Sequence, residues 1–194
     1  MSLTAHNPAD LSSLSRRDVD KIGSLLHLIA KKSGNIYLTR LLKLLYLIDE
    51  KSVKEIGVPV TPFEYRVAQN GPLIVELWTN LQQCNDFSKY IQISKEADIE
   101  GTKITAVGEP NEKRFSEYEL ELINDIVRDY RGYSTDELID YIHEHKESLW
   151  KDIVSKKSVD FSSSKISALK IDFKEHIKGD ETLIHFYETY KSVR

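Results

Sequence analysis

The stretch LLKLLYLIDEKSVKEIGVPVTPFEYRVAQNGPLIVELW, from Leu41 to Trp78, opens with a helix too apolar to lie on a surface. Between Leu41 and Ile48 only Lys43 interrupts the apolar run. A helix that is hydrophobic on nearly every side must be covered by other elements, because none of its faces gains from contact with water. The sequence therefore predicts a buried central helix, extending from about Tyr37 to Glu55.

Three polar or amphipathic residues follow one another at intervals of one turn on this helix. They are Lys43, Tyr46 and Asp49. Residues three apart share a side of a helix, so the three could project as a polar ladder from an otherwise apolar element. In the structural alternative, Lys43 extends its amine to solvent, Tyr46 packs by its ring and Asp49 ends at the surface. The pattern leaves both interpretations open.

The central helix is followed by a segment that favours β-structure. Gly57, Pro59 and Pro62 interrupt the helical pattern. Apolar and polar residues then alternate from Phe63 to Ala68, as in a half-buried strand. Between Tyr90 and Val107, isoleucines and valine separated by glycines predict two further short strands.

A tight turn links the first strand to a second helix. Asn70 and Gly71 predict backbone with positive φ, and Pro72 fits the first position of a helix, where no amide proton is needed. The predicted inner face of this helix consists of Leu73, Leu77, Trp78 and Leu81.

Capping boxes predict the starts of three other helices, because a serine is followed three residues later by an acid. They are formed by Ser15 with Asp18, Ser116 with Glu119, and Ser134 with Glu137. The helix after Ser134 is expected to continue towards Trp150. Two last helices are predicted, one from Ile166 to Ile177 and one capped by Asp180. The resulting fold class is α+β and mainly α-helical, a compact helical domain with a small β-sheet or hairpin.

Length and composition set broad limits on function. The 194 residues fit a single domain. A net charge of −4 argues against nucleic-acid binding, which needs a concentrated basic surface. The single cysteine, Cys84, allows neither an internal disulfide nor a cysteine-based zinc site. No apolar run approaches the ~20 residues of a membrane span, so we expect a cytoplasmic protein with no membrane partner.

Two local patterns have partial likeness to functional motifs. The helices after Ser116 and Ser134 suggest a helix-turn-helix, but eleven acidic and five basic residues lie between Glu112 and Trp150, and phosphates would be repelled. His143 and His145 are metal-capable residues that point to different sides of a helix, which favours a solvated helix end. No nucleophile elbow, phosphate loop or dinucleotide glycine motif is present, so the sequence predicts no catalytic residue, metal or cofactor.

Two separated motifs resemble the signature of the Panacea domain, also called the SocA-like antitoxin domain. The first is KLLYLID at 43–49, followed by Gly57, Pro59, Phe63, Ala68, Asn70-Gly71-Pro72 and Trp78; the second is HKESLW at 145–150. Leu149 stands where the family usually has proline, and Trp78 where tyrosine is common. The resemblance covers about residues 15–176. The polar composition of residues 1–14 predicts a flexible segment there. The resemblance implies one Panacea-like domain at 15–176 and a C-terminal helical extension at 177–194.

The resemblance implies an antitoxin that neutralises a cognate protein toxin by direct binding, with a protease as a further partner if it acts as a proteolytic adaptor. It also implies one polar-lined centre for partner binding where the two motifs meet. The expected members are Lys43, Tyr46, Asp49, Asn70, Gly71, Pro72, His145 and Trp150. Gly71 and Pro72 are explained equally well by their backbone roles. A DNA-binding autoregulator and a hydrolase remain alternative functions.

Overall fold

The central helix predicted from the sequence is the core of the structure, a computed structural model that describes residues 11, 14–34, 36–83, 85–95 and 101–193. Helix α2 runs from Leu38 to Ile56. Its residues from Leu41 to Glu50 are all buried, including Lys43. Four other helices pack against α2, because most of its surface is apolar. The prediction of a buried central helix is confirmed.

Seven α-helices and six strands are found in the described residues. The remaining helices are α1 (Arg16–Ser33), α3 (Val75–Gln83), α4 (Glu117–Asp129), α5 (Thr135–Glu144), α6 (Leu149–Lys157) and α7 (Glu181–Ser192). The strands are β1 (Ile36–Tyr37), β2 (Tyr65–Ala68), β3 (Gly71–Leu73), β4 (Ile91–Lys95), β5 (Thr102–Ala106) and β6 (Ile166–Ile171). Short 3-10 helices lie at Glu112–Arg114 and Phe173–Ile177. The fold is α+β and mainly α-helical, as predicted.

The strands form two separate antiparallel sheets of three strands each, in the orders β1-β5-β4 and β3-β2-β6. The two regions predicted as β therefore belong to different sheets. In the first sheet, Ile36 pairs with Ile104, and both are buried. In the second sheet, β2 lies between β3 and β6, and its register with β6 shifts between Arg66 and Ala68. This second sheet carries the Gly71 turn and brings it against α2.

All three predicted capping boxes are present. The side chains of Ser15, Ser116 and Ser134 each accept a hydrogen bond from the backbone amide three residues on, and the acid there bonds back to the serine amide. Asp180 caps α7 through the amides of Thr182 and Leu183. These local signals depend on neighbouring residues alone, which explains why they could be read from the sequence.

The predicted helix from Ile166 to Ile177 is wrong. Residues from Ile166 to Ile171 form β6, and Phe173–Ile177 is a 3-10 helix. The apolar spacing is compatible with a helix, but β2 needs a partner on its open edge, and β6 supplies it. Tertiary pairing therefore overrides the local pattern.

Four further expectations are corrected around the two motifs. Pro72 lies in β3 rather than at a helix start, and α3 begins at Val75. In the Asn70-Gly71 turn only Gly71 has positive φ, at +93°. Trp78 does not belong to an inner face, because it is 37% exposed. The helix after Ser134 ends at Glu144, since Ser148 caps a new helix, α6.

Described residues near both ends of the sequence pack against the core. Of the segment 1–14, predicted to be flexible, all but Leu11 and Leu14 lies outside the described residues, and Leu11 is buried in the core. At the other end, α7 packs against α2, and the Tyr190 hydroxyl donates to the Thr61 carbonyl oxygen at 3.0 Å. No helix in the described ranges is both long and apolar enough to cross a membrane.

Candidate functional site

Lys43 is a buried amine that donates to the protein backbone. Its side chain leaves α2 and donates from Nζ to the carbonyl oxygen of Pro72 at 2.8 Å, and the residue is only 3% exposed. In the described part of the protein, no carboxylate forms an ion pair with it. Burial disfavours the charged form and lowers the pKa of Lys43 to about 7. An ammonium group in this environment would gain strongly from an added negative charge.

Gly71 and His143 lie next to this amine. A Cβ atom on Gly71 would lie 3.2 Å from Lys43 Nζ and 3.4 Å from His143 Nε2, so the bare side of the glycine faces both nitrogens. His143 Nε2 is buried and has no hydrogen-bond partner among the described residues. Burial lowers the pKa of His143, and the charge of Lys43 lowers it further, whereas Asp140 and Glu144 act in the opposite direction.

Trp150 fixes the position of His143. The two rings are stacked with centroids 3.7 Å apart and an interplanar angle of 9°. The indole Nε1 donates to the carbonyl oxygen of Ala68 at 2.8 Å, which ties α6 to β2. The two sequence motifs therefore meet where Trp150 contacts the β2–β3 turn, although His143 rather than His145 faces Lys43.

A cavity of about 210 Å³ opens beside Lys43. Its lining consists of Thr39, Leu42, Lys43, Ala68, Gln69, Asn70, Gly71, Leu73, Trp78, Lys165 and Ile166. Among the described residues, this lining contains two lysines and no acidic residue, although the protein as a whole is acidic. Trp78, at 37% exposure, stands at the edge of the cavity. We call this cavity the Lys43 pocket; it is positively charged, partly apolar and open to solvent.

The sequence model of the family described as "Antitoxin SocA-like, Panacea domain" matches residues 41–151, more than half of the protein. The match contains most of α2, the β2–β3 turn, His143 and Trp150. The chain belongs to the SocA-like Panacea-domain family. No curated protein and no solved structure has significant similarity to it.

The other residues expected in a single Panacea-domain centre are divided among three places. Asp49 is fully buried beside Thr61, whose amide and hydroxyl donate to it at 2.8 and 2.5 Å, and Tyr65, whose hydroxyl donates at 2.7 Å. Burial raises the pKa of Asp49 to about 6, although these hydrogen bonds act in the opposite direction. Asp49 thus fastens the segment after α2 to the helix, and it neither projects to solvent nor lies at the surface.

Tyr46 belongs to a second buried group. Its hydroxyl donates to Glu50 Oε1 at 3.0 Å, and the same oxygen accepts a hydrogen bond from His176 Nε2 at 2.7 Å. His145 stacks on Tyr141 instead of facing Lys43, with ring centroids 5.1 Å apart. The expected single centre therefore brings together Lys43, the 70–72 turn and Trp150, but not Tyr46, Asp49 or His145.

Sequence reasoning missed three residues that matter here. The pattern placed His143 in a solvated helix end, because the end of α5 at Glu144 was not foreseen. Lys165 lies in a polar connecting segment, and the sequence did not indicate which part of the fold that segment contacts. Glu50 follows Asp49 in the apolar helix, and a second acid at that place was a usable signal of a buried polar partner.

A larger cavity, of about 860 Å³, lies between β2, β6 and α7. The lysines that line it are already paired with acids, since Lys170 and Lys191 both contact Glu64, and Lys174 contacts Glu188. Within the described ranges, no three His, Cys, Asp or Glu side chains are grouped so as to hold a metal ion. The Lys43 pocket is therefore the better candidate for a binding site, because Lys43 has no acidic partner among the described residues.

Proposed function

We propose that this protein is an antitoxin that neutralises a protein toxin by direct binding, through the surface around the Lys43 pocket. Membership of the SocA-like Panacea family supports the antitoxin role. The observation that supports this surface is Trp78, a large apolar side chain left 37% exposed at the edge of a cavity with two lysines. Exposed tryptophans beside polar groups are frequent centres of protein interfaces.

Binding alone is sufficient for such a role. Hydrogen bonds to backbone oxygens hold Lys43 in the pocket and Trp150 next to the β2–β3 turn, so both side chains are already positioned before a partner binds. A preorganised site loses little conformational entropy on binding. The pocket region is therefore suited to recognising a projecting side chain of another protein.

Co-expression with the product of the adjacent gene tests this proposal. We expect restored growth and a complex that co-purifies at equal stoichiometry. Measuring the half-life of the toxin in the same cells separates two mechanisms. An unchanged half-life indicates sequestration, whereas a shortened one indicates delivery to a protease. Absence of both growth rescue and a complex would refute the antitoxin role for this gene pair.

Two alanine variants test the location of the interface. Trp78→Ala should weaken the complex at least about tenfold, the effect of a central interface aromatic. Phe186→Ala is the matched control, since Phe186 is an exposed aromatic on α7, which packs near Gly57 at the other end of α2. If Phe186→Ala disrupts the complex and Trp78→Ala does not, the toxin binds at the α7 end instead.

A further inference from the structure

The floor of the Lys43 pocket is apolar except for one amine. Its apolar side chains come from α2 and from the three strands of the second sheet, and they are Leu42, Ala68, Leu73 and Ile166. Lys43 lies among them at 3% exposure, and the described acceptor of its Nζ is the Pro72 carbonyl oxygen. Since an ammonium group has three protons, this amine can also donate to an oxygen that enters the pocket. A matching occupant has an apolar body and an acceptor atom.

The mouth of the pocket is polar and positively charged. Its side chains are exposed, and they are Thr39, Gln69, Asn70, Trp78 and Lys165. The indole of Trp78 offers a surface for stacking, and the amides of Gln69 and Asn70 can bond to a peptide backbone. Among the described residues the lining contains no acid, so Lys165 attracts an acidic segment and repels a basic one. The mouth therefore fits a polypeptide segment that contains acidic residues.

We propose that the Lys43 pocket receives a tyrosine side chain of the toxin, on a segment in which acidic residues adjoin the tyrosine. This proposal rests on the proposed antitoxin function for the identity of the partner. The tyrosine ring lies on the apolar floor and against Trp78, and its hydroxyl oxygen accepts a hydrogen bond from Lys43 Nζ. The acidic neighbours of the tyrosine lie at the mouth, near Lys165.

Size and polarity select tyrosine from the other large side chains. A cavity of about 210 Å³ has the size of a single large side chain. Phenylalanine has no acceptor for the Lys43 amine, and tryptophan has only a donor, so its N–H would face another donor. Lysine and arginine would bring a second cation next to a buried one. Tyrosine combines an aromatic body with an oxygen that accepts, and it is enriched among the residues that dominate interfaces.

The same surfaces disfavour a phosphate or a carboxylate at the floor. A charged group there would exchange its hydration for contact with leucine, alanine and isoleucine side chains. The phenol oxygen is neutral and has less hydration to lose. Anionic groups are better placed at the mouth, where Lys165 and the two amide side chains are exposed to water. The acids of the partner therefore belong beside the tyrosine rather than inside the pocket.

Short peptides test the site without the toxin. Acetyl-Glu-Tyr-Glu-amide is the probe, and the indole N–H signal of Trp78 in NMR spectra of the full-length protein reports its binding. We expect saturable shifts in the millimolar range. The same peptide with phenylalanine should bind about tenfold more weakly, the effect of one lost hydrogen bond. Peptides with lysine for glutamate, or phosphotyrosine for tyrosine, should also bind more weakly. Equal binding of the tyrosine and phenylalanine peptides, or tightest binding of the phosphotyrosine peptide, would overturn the proposal.

Variants link the preference for tyrosine to the amine. Lys43→Met should abolish this preference but still bind the phenylalanine peptide, because the apolar floor remains. Trp78→Ala should weaken the binding of both peptides. Lys113→Met, which removes an exposed lysine in the 3-10 helix at 112–114, is the control and should bind both peptides as the wild type does. If Lys43→Met, shown to be folded by its thermal transition, keeps the full preference for tyrosine, the proposal fails.

The complex with the toxin supplies the second test. Each tyrosine of the toxin is changed to alanine in turn, and one of these changes should weaken the complex at least about tenfold. Phenylalanine at that position should weaken binding to the wild type but not to Lys43→Met. If the complex forms and no tyrosine change weakens it, the tyrosine proposal fails and the antitoxin role stands. If the peptides bind as expected but no complex forms, the antitoxin role fails for this gene pair and the peptide site stands.

Discussion

His176 donates from Nε2 to Glu50 Oε1 at 2.7 Å, and both side chains are almost completely buried. Glu50 lies in the region that matches the family model, and His176 lies beyond it. The Tyr46 hydroxyl donates to the same oxygen, and Lys54 approaches the other carboxylate oxygen at 3.9 Å. The core of the matched region is thus completed by a residue from outside it.

Glu50→Gln should destabilise the protein by about 1–3 kcal/mol at pH 7, the usual contribution of hydrogen bonds to a charged group. Burial acts to raise the pKa of Glu50, but the hydrogen bond from His176 and the charge of Lys54 outweigh it, so the pKa is lowered. A lowered acid pKa stabilises above the unfolded value of 4.5, and this stabilisation is lost as the pH falls through the folded value. Urea unfolding at pH 7 and pH 4 measures both effects. Glu121→Gln, on the exposed side of α4, should change little.

Asp49→Asn should remove an unfavourable contribution to the pH dependence of the free energy of unfolding. Because the folded pKa of Asp49 is raised from 3.8 to about 6, the folded state binds more protons between these values. Stability contributed by this group therefore falls as the pH rises from 3.8 to 6 and stays low above that. Relative to the asparagine variant, the wild type should lose about 2–3 kcal/mol over this interval. A constant difference between the two unfolding curves would contradict this expectation.

Lys43→Met should make the protein more stable at neutral pH. Since burial lowers the pKa of Lys43 from 10.5 to about 7, its cost to folding is complete below pH 7 and is relieved as the pH rises towards 10.5. After allowance for the lost hydrogen bond to Pro72, we expect a gain of about 1–2 kcal/mol at pH 7. The difference in the free energy of unfolding between Lys43→Met and the wild type should be smaller at pH 10. Denaturant unfolding at pH 6, 8 and 10 gives the comparison.

Gly71→Ala and Gly34→Ala form a matched pair. Both glycines have positive φ, at +93° and +67°, but an added Cβ meets nothing within 4 Å at Gly34 and lies 3.2 Å from Lys43 Nζ at Gly71. Gly34→Ala should cost only the conformational penalty of about 1 kcal/mol. Gly71→Ala should cost more, because its Cβ would also crowd the Lys43 amine. Similar losses of thermal stability in the two variants would show that the space beside Lys43 is not tightly confined.

The parts of the fold that depend on near neighbours were predictable. The run from Leu41 to Ile48 specifies a buried helix by composition alone, and the capping serines specify helix starts. The strand from Ile166 to Ile171 was not predictable, because its conformation depends on pairing with β2, about a hundred positions earlier in the sequence.

The site was predictable to the extent that its residues share a turn. Gly71 and Pro72 are adjacent in the sequence, and the carbonyl oxygen of Pro72 accepts the hydrogen bond from the Lys43 amine. His143 and His145 illustrate the limit. They are two positions apart, and the place where α5 ends determines which ring stacks on Trp150 and which on Tyr141. A shift of helix end by one or two residues exchanges such roles, and sequence patterns do not define helix ends that closely.

The burial of Lys43 also has a chemical consequence. With a pKa of about 7, roughly half of the molecules at neutral pH have this amine in its neutral form. A solvated lysine, with a pKa near 10.4, is almost entirely protonated and hence unreactive towards electrophiles. A small acylating reagent at limiting concentration should therefore label Lys43 before the lysines on the surface. Mass spectrometry of the labelled protein would report whether a bound partner shields the amine, even before that partner is identified.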